Sequence, residues 1–457
     1  MAIPPSSGKP TGAGDHEVAG PPAVAASAAM PWLPLLFLGA VGALLGYLAK
    51  APCRFGGAWL DGTQFQRLCY SDVFPLYFRD GLDSGTVPYV DKAVEYPVLT
   101  GGLMYVLARA VSWLPGTMQR GFAYFDATAS VMGLCLIAVV VAVGYLAGRG
   151  GIRPDEGRPF DRRVALLAGA LPALAPAALL TLYINWDLFA VALATGGLVA
   201  YARHRKLLAG ALIGLAVAAK FYPFLFFGPM FVLMVRDLLR ARDPGERSAA
   251  IADFLRPLLG AVAAWGAVNV PVYLADPEGW AEFFTFSQER GADWGSVYYV
   301  LGQFGLFDTG DLDTVNLFGT GTLLAVCVAI GLLALLAPRR PRLEQLLLLV
   351  VAAFLITNKV WSPQFVLWLL PLAALAWPRR SGRWPALVVV GLWQLAELGY
   401  VVGIWNYIEF VNTPLGETAV GVGVETYAVL AMGRLFFLLT VCAIVVVDCL
   451  RTGDSTS

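Results

Sequence analysis

Apolar runs too long and too frequent for a soluble domain recur along the whole chain, and they constrain the fold more than any motif does. Twelve are read, at 31–50, 121–147, 164–184, 187–202, 207–220, 223–237, 257–275, 316–337, 343–358, 364–377, 384–404 and 426–449. A helix needs about 20 apolar residues to cross a hydrocarbon core, fewer if it stops short. Over 457 residues, 58% are apolar and 14% charged, and the mean hydropathy is +0.67, which excludes a soluble protein. The expected fold is an all-α polytopic membrane protein of about twelve transmembrane helices, in a single domain over 31–450.

Net charge is zero, so information lies in where each sign falls. Arginines fill the links after even-numbered runs: Arg149, Arg153, Arg158, Arg162 and Arg163; Arg203 and Arg205; Arg240, Arg242 and Arg247; Arg339, Arg340 and Arg342; Arg379, Arg380 and Arg383. Links after odd-numbered runs carry the clustered acids, Asp61 to Glu95 in the first and Asp276 to Asp313 in the fourth. Positive residues stay in the cytoplasm, so both termini are expected there and the acidic links outside. Nothing in this distribution favours a nucleic-acid partner.

Residues 1–30, rich in Pro, Gly and Ala, are expected to form a disordered cytoplasmic tail, and 451–457 a second one. The apolar stretch from Tyr96 to Leu114 breaks the parity if it spans. It opens with Glu95-Tyr-Pro97 and contains Arg109, so it is assigned to a helix on the outer surface. The first extracytoplasmic loop, 51–120, is then long and partly helical, and the fourth covers 276–315. Cys53 and Cys69 share that first loop, where an oxidising compartment allows a bridge; two unpaired thiols are the alternative. The six cysteines show no metal-ligand spacing.

Two runs end abruptly on the outer side, at Lys220-Phe-Tyr-Pro223 and at Asn358-Lys359-Val-Trp-Ser-Pro363-Gln364. Proline removes a backbone donor and clashes with the preceding turn, so each helix stops there. Hairpins that fall short leave a depression, and irregular backbone is tolerated where it lines a cavity. An ionisable residue at this depth costs about 2.5–3.5 kcal/mol on insertion scales, which makes Lys220 and Lys359 functional candidates. A snorkelling anchor is the alternative for both. Arg290 is the lone basic residue of 276–315, suited to fork onto a phosphate or else to pair with Glu289 or Asp293. Asp72 lies among Tyr70, Phe74, Pro75 and Tyr77, an aromatic setting that suits a sugar face and raises a carboxylate's proton affinity. Alone it reads equally as a helix cap or a solvated loop acid. Arg434 and Glu397 read as structural polar contacts.

These stretches together resemble the lipid-phosphate-sugar-dependent glycosyltransferases of the C-type membrane fold, most closely glycosyltransferase family 87. The resemblance is carried by Tyr70-Ser-Asp72, Glu95-Tyr96-Pro97-Val-Leu-Thr-Gly101, Asn185-Trp-Asp187, Lys220-Phe-Tyr-Pro223 and Asn358-Lys359-Val-Trp-Ser-Pro363-Gln364. It implies transfer of a sugar, mannose foremost, from a polyprenyl-phosphate donor to a lipid or glycan acceptor hydroxyl on the extracytoplasmic face of the cell envelope. Asp72 is then the base of an inverting single displacement. Lys359, Lys220 and Arg290 meet the donor phosphate, and Tyr70, Tyr77, Glu95, Tyr96, Asn185, Asp187, Asn358 and Gln364 line the substrate pocket. The enzyme adding the first mannose to GPI anchors carries Asp-x-Asp in the first outer loop, whereas Phe74 stands at the second position here. No metal and no cofactor is therefore expected.

The competing functional class is a secondary transporter, which twelve spans and two Pro-interrupted segments also suit. A scaffolding membrane protein is a third, but it predicts no buried lysines. Clustering of the unusual charges on one side favours the enzyme.

Overall fold

The computed structural model describes residues 1–2, 29–154, 157–377, 383–414, 418 and 420–451. The expected tails, and Arg379 and Arg380 with them, fall almost wholly outside the described residues. Those described are helical apart from their connections, and the nearest approach to a strand is an isolated bridge between Pro88 and Lys92. All twelve apolar runs form helix.

They do not all span. Among the described residues eight helices are long and apolar enough to cross a membrane: Trp32–Ala49, Thr117–Gly148, Arg162–Thr181, Tyr222–Arg240, Pro244–Ala275, Leu312–Leu336, Leu387–Asn412 and Val424–Leu450. The other four runs give the shorter Asp187–Ala202, Lys206–Ala219, Leu343–Thr357 and Pro363–Ala376. At 1.5 Å per residue these reach roughly 21–24 Å, short of a core about 30 Å thick. Of the about twelve transmembrane helices expected, eight are thus long and apolar enough to span, and four runs give shorter helices.

Burial explains the difference. In Leu343–Thr357 every residue but Phe354 and Ile356 is buried, and in Val366–Ala376 every residue but Ala374. A helix apolar all round is stable when other helices surround it. In contrast, 6% of the apolar window of Leu312–Leu336 and 17% of that of Pro244–Ala275 are buried. Leu343–Thr357 and Val366–Ala376 thus lie in the interior, while Leu312–Leu336 and Pro244–Ala275 leave most of their side chains unburied.

Close backbone approach holds one inner helix to its wrapper. A Cβ added at Gly210 or Gly214 would lie 1.8 Å from the Pro257 carbonyl oxygen or 2.3 Å from that of Ala261. Small residues spaced four apart allow such contact in lipid, where helices gain little from hydrophobic burial. The apolar stretch after Glu95 forms the helix Val98–Val111, which buries Val98, Gly101, Met104, Ala108 and Val111 along one face. Its Thr100 hydroxyl donates to the Ala219 carbonyl at 2.7 Å, tying it to the C-terminal end of Lys206–Ala219.

Candidate active site

A cleft of about 560 Å³ opens where the two short hairpins turn. Lys220 leaves its helix in extended conformation, and a 3-10 turn, Tyr222–Phe226, follows with Pro223 in it. Asn358 is likewise extended, and Pro363 starts the turn Pro363–Phe365. The Tyr222 and Trp368 rings stack at 4.2 Å, and Phe365 stacks on Trp368 at 4.0 Å, so the hairpins brace each other. From behind, Arg434 donates to the Trp361 carbonyl at 3.2 Å, lies 3.7 Å over the Trp361 ring and pairs with Glu397 at 3.4 Å. Both residues therefore hold the second hairpin's turn in place.

Asp72 enters the cleft from the first long connection. The Ser71 hydroxyl donates to the Tyr183 carbonyl at 2.7 Å, and the Asp72 amide donates to that of Ile184 at 2.7 Å. These bonds lay the segment along the turn leading to Asp187. Asp72 occupies the N-cap position of the helix Val73–Arg79, yet its side chain caps nothing. Instead it accepts from the Tyr70 hydroxyl at 2.6 Å. The Tyr70 ring packs against Phe65 at 5.2 Å and Trp405 at 4.9 Å, which also touch each other at 5.6 Å. Burial pushes the Asp72 carboxyl up to about 6, against the lowering influence of the Tyr70 hydrogen bond and the Lys220 charge.

Lys220 is paired as well as placed. Its ammonium lies 2.7 Å from Asp187 Oδ1, with the Tyr96 and Phe365 ring centroids 5.5 and 5.4 Å away. Asp187 is 2% exposed, and its other carboxylate oxygen has no partner among the described residues. The Asn185 side chain accepts from the Asp187 amide at 3.0 Å and fixes that turn. Arg290 lines the cleft too and pairs with Asp293 at 3.4 Å. Glu95 lies 3.3 Å from Arg79 on the rim.

The structure thus brings Asp72, Tyr70, Glu95, Tyr96, Asn185, Lys220, Arg290, Asn358 and Gln364 to one cavity. Three expected site residues are not among its lining. The Lys359 ammonium donates to the Gln288 carbonyl and to Asn316 Oδ1, each at 2.7 Å, so it fastens the end of the helix Pro277–Glu289. Tyr77 is buried 4.7 Å from Tyr124, where it packs helix on helix. Asp187 stands behind the lining, paired with Lys220. Phe74, where the GPI enzyme has its second aspartate, stacks on Trp59 at 4.8 Å, so that position holds packing, not a ligand.

Other residues of the site carried no signal in the sequence strong enough to single them out. Lys50, 1% exposed, donates to the Tyr70 carbonyl at 2.7 Å and to that of Leu180 at 3.0 Å. Its place at the end of an apolar run reads as an ordinary anchor. Phe65 and Trp405 are too far from Tyr70 in sequence, or too ordinary, to be recognised as its neighbouring rings. Cys53 and Cys69, 5.7 Å apart at Cα, form a disulfide that closes the connection just before Tyr70.

Fold and cleft define a polytopic helical membrane protein with a carboxylate and fixed cations around a half-open polar pocket at one end of the bundle. The model of glycosyltransferase family 87 matches residues 96–363, more than half of the chain, and the chain belongs to that family. It is a membrane glycosyltransferase, with a sugar donor and an acceptor as substrates. No curated protein matches it. The family match takes in Tyr96, Asn185, Lys220, Arg290 and Asn358, while Asp72 and Tyr70 lie outside it. The transporter reading finds no support.

Proposed function

We propose that the protein moves a hexosyl group, mannose foremost, from a polyprenyl phosphate to an acceptor hydroxyl on the extracytoplasmic side of the cell membrane, with inversion. The observation that carries the reading is the shared cleft of Asp72, Lys220 and Arg290, a carboxylate facing two fixed cations. A sugar phosphodiester already has a good leaving group, so the protein need supply no acid to it. The acceptor hydroxyl must instead lose a proton as it attacks, and a carboxylate poised near 6 is suited to take it.

In one displacement the acceptor oxygen bonds to the anomeric carbon while the bond from that carbon to the phosphate oxygen breaks. The electron pair leaves with the phosphate, and the proton goes to Asp72. The phosphate passes from about one negative charge to nearly two, so a fixed cation stabilises the transition state more than the ground state. Lys220 and Arg290 fill that role. Lys359, first in order from sequence alone, is assigned instead to holding the loop that carries Arg290. The acidic links beside the cleft support an extracytoplasmic site, and the arginine-rich links a cytoplasmic opposite end.

Incubating purified protein with a panel of radiolabelled polyprenyl-phosphate sugars and membrane lipid acceptors tests the donor class. Label should pass to a lipid or glycan from a polyprenyl-phosphate sugar. Transfer from nucleotide sugars alone would overturn the proposal.

A further inference from the structure

A second cavity, of about 590 Å³, lies at the opposite end of the same inner helices. Asp187–Ala202 begins beside the cleft and reaches the second cavity at Tyr201; Leu343–Thr357 begins in the second cavity and ends at Asn358 in the cleft. Fifteen helical residues put the two about 22 Å apart. The walls come from the arginine-rich links, the end that the charge distribution directs to the cytoplasm.

Arg153, Arg158, Arg339, Arg340 and Arg342 line this cavity, with Asp237, Asp253, Glu344 and Asp448 as its acids. Each acid is already engaged. Asp237 takes a fork from Arg340 with both contacts at 2.8 Å, and Asp253 pairs with Arg153 and, at 3.1 Å, with Lys206. Glu344 pairs with Arg342 at 3.1 Å, and Asp448 accepts from Gln345 at 2.8 Å. Arg158 and Arg339 remain, both exposed, with no ion pair among the described residues. Five arginines of the lining face four acids, so among the described residues the cavity carries excess positive charge. Met230, Leu233 and Phe254 form an apolar wall beside it.

We infer that this cavity binds a phosphate group, borne by an anionic lipid of the cytoplasmic leaflet, between Arg158 and Arg339. Guanidinium groups fork onto phosphate oxygens. The apolar wall suits the glycerol and first acyl carbons, and an anionic leaflet concentrates such headgroups at this surface. Lipid-borne and free phosphate share the recognition chemistry, and the wall favours the former. The site is independent of the transfer reaction proposed above.

The test is native mass spectrometry and calorimetry on the purified full-length protein, with dioctanoyl phosphatidylglycerol, dioctanoyl phosphatidylcholine and inorganic phosphate as probes. The phosphatidylglycerol should bind saturably, weaken as salt rises, and bind at least about tenfold less tightly to the double variant R158Q/R339Q. The conservative R158K/R339K should keep part of the affinity, and thermal unfolding should confirm that both variants fold. Inorganic phosphate binding as tightly as the lipid would reassign the site to free phosphate and overturn the lipid assignment. No saturable binding of either, or equal binding by R158Q/R339Q, would overturn the site.

Discussion

At Asp72 the same surroundings that make the carboxylate hard to ionise make it useful. Burial raises it to about 6, and the Tyr70 hydrogen bond and Lys220 charge hold it from rising further. A base must be unprotonated, so kcat/KM should fall as pH drops through about 6. Tyr70→Phe removes a stabiliser of the ionised form and should move that acidic limb to higher pH while preserving the fold. A limb unchanged in Tyr70→Phe would detach Tyr70 from the titration. At this scale much of the site was legible, because an ionisable group near membrane depth is conspicuous wherever it falls. What a charge cannot reveal is the direction of its side chain. Lys220 and Lys359 look alike on paper, yet one ammonium meets Asp187 in the cleft and the other meets Gln288 and Asn316 outside it. Those partners lie 43 and 71 residues from Lys359, beyond any local pattern.

Among the elements, the connection bearing Tyr70 and Asp72 has little regular structure of its own, and side-chain bonds and one covalent link hold it. The Cys53–Cys69 bridge spans 16 residues, and opening a loop of that size costs about 3 kcal/mol in the chain-entropy account. Cys53→Ser/Cys69→Ser should lower the thermal unfolding temperature, and reductant should reproduce the shift in the parent protein and not in the double variant. The loop carrying Arg290 depends in the same way on Lys359. Lys359→Met leaves the Gln288 carbonyl and Asn316 without their donor, a loss of about 1–3 kcal/mol visible in thermal unfolding. Unchanged stability with a lost turnover would return Lys359 to the cleft. Helix positions were plain from apolar runs, as was the shortness of the two runs that stop before Pro223 and Pro363, whereas the burial of the inner helices was not. Hydropathy measures how apolar a stretch is, and a helix buried in protein scores as high as one facing lipid. The proline that ends a run was the local clue, and it marked the two hairpins that turn at the cleft.

Taken whole, the molecule is polarised. Among the described residues eight helices are long enough to span and four runs are shorter, with an acid-containing cleft at one end of the bundle and an arginine-lined cavity at the other. The alternation of arginine-rich and acidic links predicted that asymmetry, because insertion sorts charge by side. It did not reveal that Arg434 and Glu397 pair with each other to brace the cleft's floor, since their partnership depends on how two distant helices pack. The proposed mechanism turns on one carboxylate of the cleft taking the acceptor's proton. It is met most directly by comparing purified wild-type protein and Asp72→Asn, matched in thermal unfolding, on whichever polyprenyl-phosphate sugar proves productive. The account predicts a drop in kcat of about 10²–10⁴-fold with inverted product from the residual activity; transfer by Asp72→Asn at the wild-type rate would contradict it.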